Sequence, residues 1–226
     1  MKNSMTTDEK IEYLNSLSHF TTEDFLMLTD CLRERCPWDR EQNHKSIRTS
    51  MIEEAYEAAD AIDRDDMDNL CEELGDVMLQ ITLHSRMASE KDDFDYNDVI
   101  DGICHKMIIR HPHVFGDTDA KTSEQVLNNW DKIKAKTKGQ TSKQTIKDIP
   151  KSLPSLMRAQ KIAKRAAKAG VYELNHDYDA LSADEAKKQI SKKIFELCSA
   201  AESVGFDIEE ALYSENDDFL SKIIKN

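Results

Sequence analysis

The chain has 226 residues, enough to bury a sizeable core as one large domain or two small ones. Hydrophobic residues make up 39% and charged residues 33%, with only 6 Gly and 4 Pro, which favours an all-α fold over a turn-rich β architecture. A formal net charge of −13 argues against a general nucleic-acid binder, whose surface must neutralise phosphates with bases.

The N-terminal "MKNSMTTDEKIEYL" lacks an apolar signal core and no later stretch approaches the length of a membrane span, so a cytoplasmic protein without a membrane partner is expected. The spacing predicts a first helix from Thr22, carrying Phe25, Leu26, Leu28 and Leu32, that stops before "CPWD" because Pro37 disfavours helix in the residue ahead of it. Ser46 is the expected cap of a second helix with an apolar stripe of Ile47, Met51, Ala55, Ala58 and Ile62. "DRDDMD" makes a turn, and a third helix follows with Leu70, Leu74, Val77 and Ile81 on one face. A fourth, from near Tyr96, carries Val99, Ile103 and Met107 and ends at "HPH". Short turns between such helices make a bundle the economical architecture. The polar, lysine-rich stretch from Lys134 to Pro154 reads as a linker, and three more helices are expected near 156–169, 183–204 and 208–224. "ELGDVMLQITLHSRMAS" also overlays "QISKKIFELCSAAESVG" in its apolar positions, a faint internal repeat. The five cysteines, Cys31, Cys36, Cys71, Cys104 and Cys198, show no CxxC spacing and are expected to be reduced and mostly packed.

Charge is unevenly spread. Residues 51–101 hold 17 acids against 3 bases, whereas 102–170 hold 15 bases against 5 acids. Such blocks form either a site where both signs meet or two solvated faces. Glu54 and Glu57 are three apart and project from one helix face, as do Glu73 and Asp76. If their helices pack antiparallel the pairs converge, and converging carboxylates repel unless cations offset them. Oxygen-only ligands suit a hard ion, and Mg²⁺ where phosphate oxygens must also be accepted. The competing reading is an ordinary solvated acidic face. Ala55, Ala58, Ala59 and Gly75 favour close approach at this place. A di-iron bundle needs Glu-x-x-His on two helices, and this chain has Glu-x-x-Asp. Lys106 and Arg110, four apart on the fourth helix, are either phosphate grips or surface cations near a helix C-terminus.

"CPWDREQNHKSI", "EEAYE", "EELGD" and "KMIIRHPHVFGD", in this order, resemble the MazG family of nucleoside triphosphate pyrophosphohydrolases, strongly from Leu32 to Lys136 and more weakly over "LPSLMRAQKIAKRAAKAG". The resemblance implies an all-α fold, a homodimer, Mg²⁺ dependence, and hydrolysis of a nucleoside triphosphate to the monophosphate and pyrophosphate. It assigns metal binding to Glu54, Glu57, Glu73 and Asp76, with Glu53 in the same catalytic motif, and phosphate binding to Lys106 and Arg110. Trp38 is implied as a platform for base or sugar or, alternatively, a buried packing anchor. His44 and Ser46 stand at a family position as substrate-contact and capping candidates. Asn43, Ser50 and Ala55 depart from the usual threonine, tyrosine and threonine, which bears on nucleotide preference.

The expected organisation is a catalytic domain at 20–138, a linker at 139–152 and a degenerate second domain at 153–226. In the last, Gln189 and Lys192 replace the acidic pair and Asp218 falls near the place of the phosphate-binding lysine. The alternative is a non-catalytic nucleotide sensor or helical interaction module.

Overall fold

In the computed structural model, residues 5–139 and 142–225 are described, and they form helices and turns with no strand among them. The all-α expectation therefore holds. The chain divides into two compact units, Met1–Ile109 and Arg110–Asn226.

In the first unit, α1 (Thr7–Asn15) precedes the helix expected from Thr22 and has no counterpart in the sequence reading. Thr6 caps it in a reciprocal box with Glu9. The next helix, α2 (Thr22–Arg35), is capped in the same way by Thr21 and Asp24, so Thr22 is its first residue. Leu14, Met27 and Cys31 bury the α1–α2 seam. A short helix, α3 (Pro37–Glu41), starts on Pro37, whose missing N–H costs nothing at a helix N-terminus.

The unit is dominated by α4 (Arg48–Asp63) and α5 (Met67–Ser89), which pack on each other more extensively than any other described pair. Their three-residue connection is a Schellman turn: the Asp66 N–H reaches Ala61 O at 3.0 Å and the Asp65 N–H reaches Ile62 O at 3.1 Å. Asp65 takes the left-handed position at φ 55° that aspartate tolerates better than most residues. Asp66 then caps α5 by accepting from the Asn69 N–H. Ala58 and Ala61 are buried on α4, while Ala55, Ala59 and Ile62 are exposed, so the buried stripe lies to one side of the expected one. Ile47 is the N-cap residue of α4 and packs with Leu83 and Met87; Ser46 instead bonds back to Gln42 and Asn43. The buried face of α5 is partly polar, with Thr82 Oγ1 meeting Thr29 Oγ1 of α2 at 3.2 Å. The fourth predicted helix is α6 (Tyr96–Arg110), which buries no residue.

The second unit begins at Arg110, the last residue of α6, and continues through α7 (Pro112–Phe115) and α8 (Ser123–Lys138) to α9 (Ser142–Lys147). The stretch read as a linker thus contains a helix, and its Ile146 and Ile149 are 1% and 2% exposed in a core with Ile162, Ala166 and Leu220. Residues 140 and 141 of that stretch lie outside the described residues. The remaining helices match the sequence reading closely: α10 (Ser155–Lys168), α11 (Ala183–Val204) and α12 (Ile208–Lys225). Gly205 ends α11 in the left-handed conformation, φ 86°, where a Cβ would be strained. Between α10 and α12, the fully buried Arg158 guanidinium donates to Asp217 at 2.5 Å and stacks 5.3 Å from the Tyr213 ring centroid. Three of the five cysteines, Cys71, Cys104 and Cys198, are exposed, which corrects the expectation that most are packed.

Ile162→Ala should cost about 2–5 kcal/mol, since the side chain is almost wholly enclosed and its removal leaves a cavity. Amide hydrogen exchange should then accelerate in α9, α10 and α12 and stay unchanged in α2 and α5; uniform acceleration would contradict the existence of separate cores.

Candidate functional site: the acidic face of α4 and α5

Glu53, Glu54 and Glu57 belong to α4; Glu73 and Asp76 belong to α5. With the Schellman turn setting the register of the two helices, Glu54, Glu57 and Glu73 each offer an oxygen, and these oxygens lie within 4.8 Å of one another. Among the described residues this is the one group of three or more acidic, histidine or cysteine side chains so arranged. Asp76 is not in that tight set, but its charge acts on Glu54. Glu53 is exposed.

The cost of this gathering falls on Glu54. Its pKa is raised, first by partial burial, then by the charges of Asp76 and Glu57, a hydrogen bond with Glu57, and the charge of Glu73. Three carboxylates this close match the donor chemistry of a hard divalent cation. At Gly75 the helix surface is open: a Cβ added there would meet nothing within 4 Å among the described residues.

On α5, Asn69 donates from Nδ2 to Glu73 Oε1 at 2.7 Å and accepts from Arg64 Nη2 at 2.6 Å. Asn69 belongs to no motif in the sequence, and the one signal for it is its position four residues before Glu73, which places the two on one helix face.

Trp38 is 59% exposed, so within this chain it is not a buried packing anchor. Its helix is held by Arg33, which forks onto Glu90 at 2.8 and 3.0 Å and donates to the carbonyls of Asp39 and Gln42. That hydrogen bonding keeps the Glu90 carboxyl below its usual range. His44 is half-buried and stacks on His84, ring centroids 5.1 Å apart and Nδ1 to Nδ1 at 2.8 Å. Burial, then the proximity of His44, lowers the His84 pKa. Lys106 is exposed on α6. Arg110 lies half-buried over Trp130, 5.1 Å from the ring centroid, and the His111 ring meets the same indole edge-on at 5.0 Å.

The profile of the MazG nucleotide pyrophosphohydrolase domain matches residues 42–115, which include all five acids and both cations. The chain is 40% identical over 203 residues to the nucleoside triphosphate pyrophosphohydrolase of Escherichia coli K12, covering 81% of this chain and 77% of that protein. It is 34% identical to the nucleoside triphosphate pyrophosphohydrolase/pyrophosphatase MazG of Thermotoga maritima, covering 90% of this chain and 84% of the relative. It is also 48% identical over 103 residues to the uncharacterized protein YabN of Bacillus subtilis, of whose length the match spans 21%.

The raised Glu54 pKa fixes a sign. Its folded state binds the proton more tightly than the unfolded state, so this group's contribution to stability falls as pH rises from the ordinary glutamate value, about 4.3, through the raised folded value. In metal-free protein, Glu54→Gln should therefore melt above wild type at neutral pH, and the gap should close on acidification below that window. Thermal melts in chelator across pH check this; a gap independent of pH would contradict it.

Proposed function

The chain belongs to the MazG nucleotide pyrophosphohydrolase family, and from that premise we propose that it is a Mg²⁺-dependent hydrolase cleaving nucleoside triphosphates, ribo or deoxy, at the α-phosphorus. The products are the nucleoside monophosphate and pyrophosphate, a reaction suited to clearing unwanted nucleotides from the cytoplasmic pool. The observation that carries this reading is the convergence of Glu54, Glu57 and Glu73, with Asp76 acting on Glu54, across the α4–α5 pair.

These four carboxylates would hold the cation. Bound Mg²⁺ supplies offsetting charge for a triphosphate carrying about four negative charges and lowers the pKa of a coordinated water. Glu53, exposed on the same helix as Glu54 and Glu57, is proposed as a further catalytic acid. Water adds to the α-phosphorus and gives up a proton to solvent, the bond to the bridging oxygen breaks, and pyrophosphate departs with that bond's electron pair. Lys106 and Arg110 would bind the phosphate oxygens, the planar guanidinium presenting its fork of donors. The exposed Trp38 ring offers a stacking face for base or sugar, and His44 lies on the turn between that helix and α4.

The unit of assembly is proposed to be a homodimer. Single-chain packing leaves apolar residues uncovered on both helices of the internal repeat, among them Leu74 at 53% and Phe195 at 72%. Apolar side chains exposed on two such helices favour a partner surface. The segment 153–226 is proposed to be a degenerate copy that stabilises and assembles and binds no catalytic metal. Its Lys192, at the place of Asp76 in the repeat, lies 3.7 Å from Glu196 in an ion pair, and an ammonium cannot coordinate Mg²⁺. The retained carboxylates favour an enzyme over a non-catalytic sensor.

Glu57→Ala and Asp76→Ala should each abolish pyrophosphate release while circular dichroism stays that of wild type. Near-wild-type turnover in both would reject the assigned site. Lys106→Ala and Arg110→Ala should lower kcat/KM by one to two orders of magnitude, roughly what charge-assisted contacts are worth, with Mg²⁺ affinity kept. Loss of metal affinity with substrate affinity kept would contradict this division of roles.

A further inference from the structure

We propose that Asn69, with Arg64 behind it, is a positioning residue for the Glu73 carboxylate. This rests on reading the acidic cluster as a divalent-cation site. The Asn69 amide is held at both ends: Nδ2 donates to Glu73 Oε1 at 2.7 Å, and Oδ1 accepts from Arg64 Nη2 at 2.6 Å. A guanidinium can only donate and an ionised carboxylate can only accept, so the amide has one permitted orientation, with its NH₂ facing Glu73.

Each further member of the chain is fixed in turn. Arg64 ends α4 and its Nε lies 2.8 Å from Asp60 Oδ2. The backbone N–H of Asn69 is held by the Asp66 cap at 3.1 Å. The relay therefore runs from the turn that sets the α4–α5 register to one of the three carboxylates that converge. It occupies a lone pair of Oε1 and restrains rotation of the carboxylate, which presents the remaining lone pairs in one direction. It also brings the polarising influence of Arg64 to an acid-rich site without placing a cation among the ligands. Hydrogen bonds of this kind to ligating carboxylates commonly matter 10–100-fold in metal affinity.

The test is calorimetric titration of Mg²⁺ and Mn²⁺ into the metal-free full chain, comparing wild type, N69L, R64M and E57A. N69L keeps bulk and the backbone cap while losing the donor; R64M removes the outer support. N69L should bind about tenfold more weakly, and R64M should be weakened by a smaller factor. The reduced turnover of N69L at limiting Mg²⁺ should recover at saturating Mg²⁺ with the nucleotide KM unchanged, which a general loss of structure would not produce. Wild-type Mg²⁺ affinity in N69L overturns the proposal and leaves the metal site standing. Should N69L fail to fold, wild-type affinity in R64M overturns it. If wild type itself shows no saturable binding, or E57A binds as well as wild type, the metal reading falls and this inference with it.

Discussion

Like charges held together by packing are the constraint on which the first unit depends. Three carboxylates from two helices lie within 4.8 Å of one another, with the charge of a fourth felt at Glu54. Unneutralised, that arrangement opposes the helix pairing that creates it. The pairing survives because the opposing contributions are built elsewhere. Ala58 and Ala61 bury the face of α4, and Ile47, Leu83 and Met87 close a small core beyond the acids. A cation drawn into the cluster would offset the repulsion at its source, so affinity for the ion and stability of the fold are linked quantities.

The turn at 64–66 joins local structure to chemistry. Its Schellman bonds and the left-handed Asp65 end α4, its Asp66 starts α5, and its Arg64 reaches Asn69 and through it Glu73. One short segment thus sets both the register that brings the acids together and the orientation of one of them. In the second unit a different polar network does comparable structural work. The buried Arg158 pairs with Asp217 across α10 and α12, and loss of Asp217 would leave the buried guanidinium without that partner.

Much of this was legible in the sequence because it depends on local spacing. The positions of α5, α6, α10, α11 and α12 follow from apolar periodicity and turn residues, and the gathering of Glu54, Glu57 and Glu73 from three-residue spacing plus a short turn. The misses have tertiary causes. Gln80, Thr82 and Ser85 are buried on α5, which an apolar stripe cannot foretell. Two isoleucines in a lysine-rich stretch were too few to signal a core, yet Ile146 and Ile149 anchor one. The His44–His84 stack joins residues forty positions apart, beyond the reach of local spacing.

The proposed function turns on water attacking the α-phosphorus at a site built from the α4–α5 carboxylates. Hydrolysis of a nucleoside triphosphate in ¹⁸O-labelled water, with products resolved by ³¹P NMR, tests it most directly. Turnover should depend on Mg²⁺ and leave the label in the nucleoside monophosphate, with none in pyrophosphate. Label in pyrophosphate, or release of labelled orthophosphate, would contradict it.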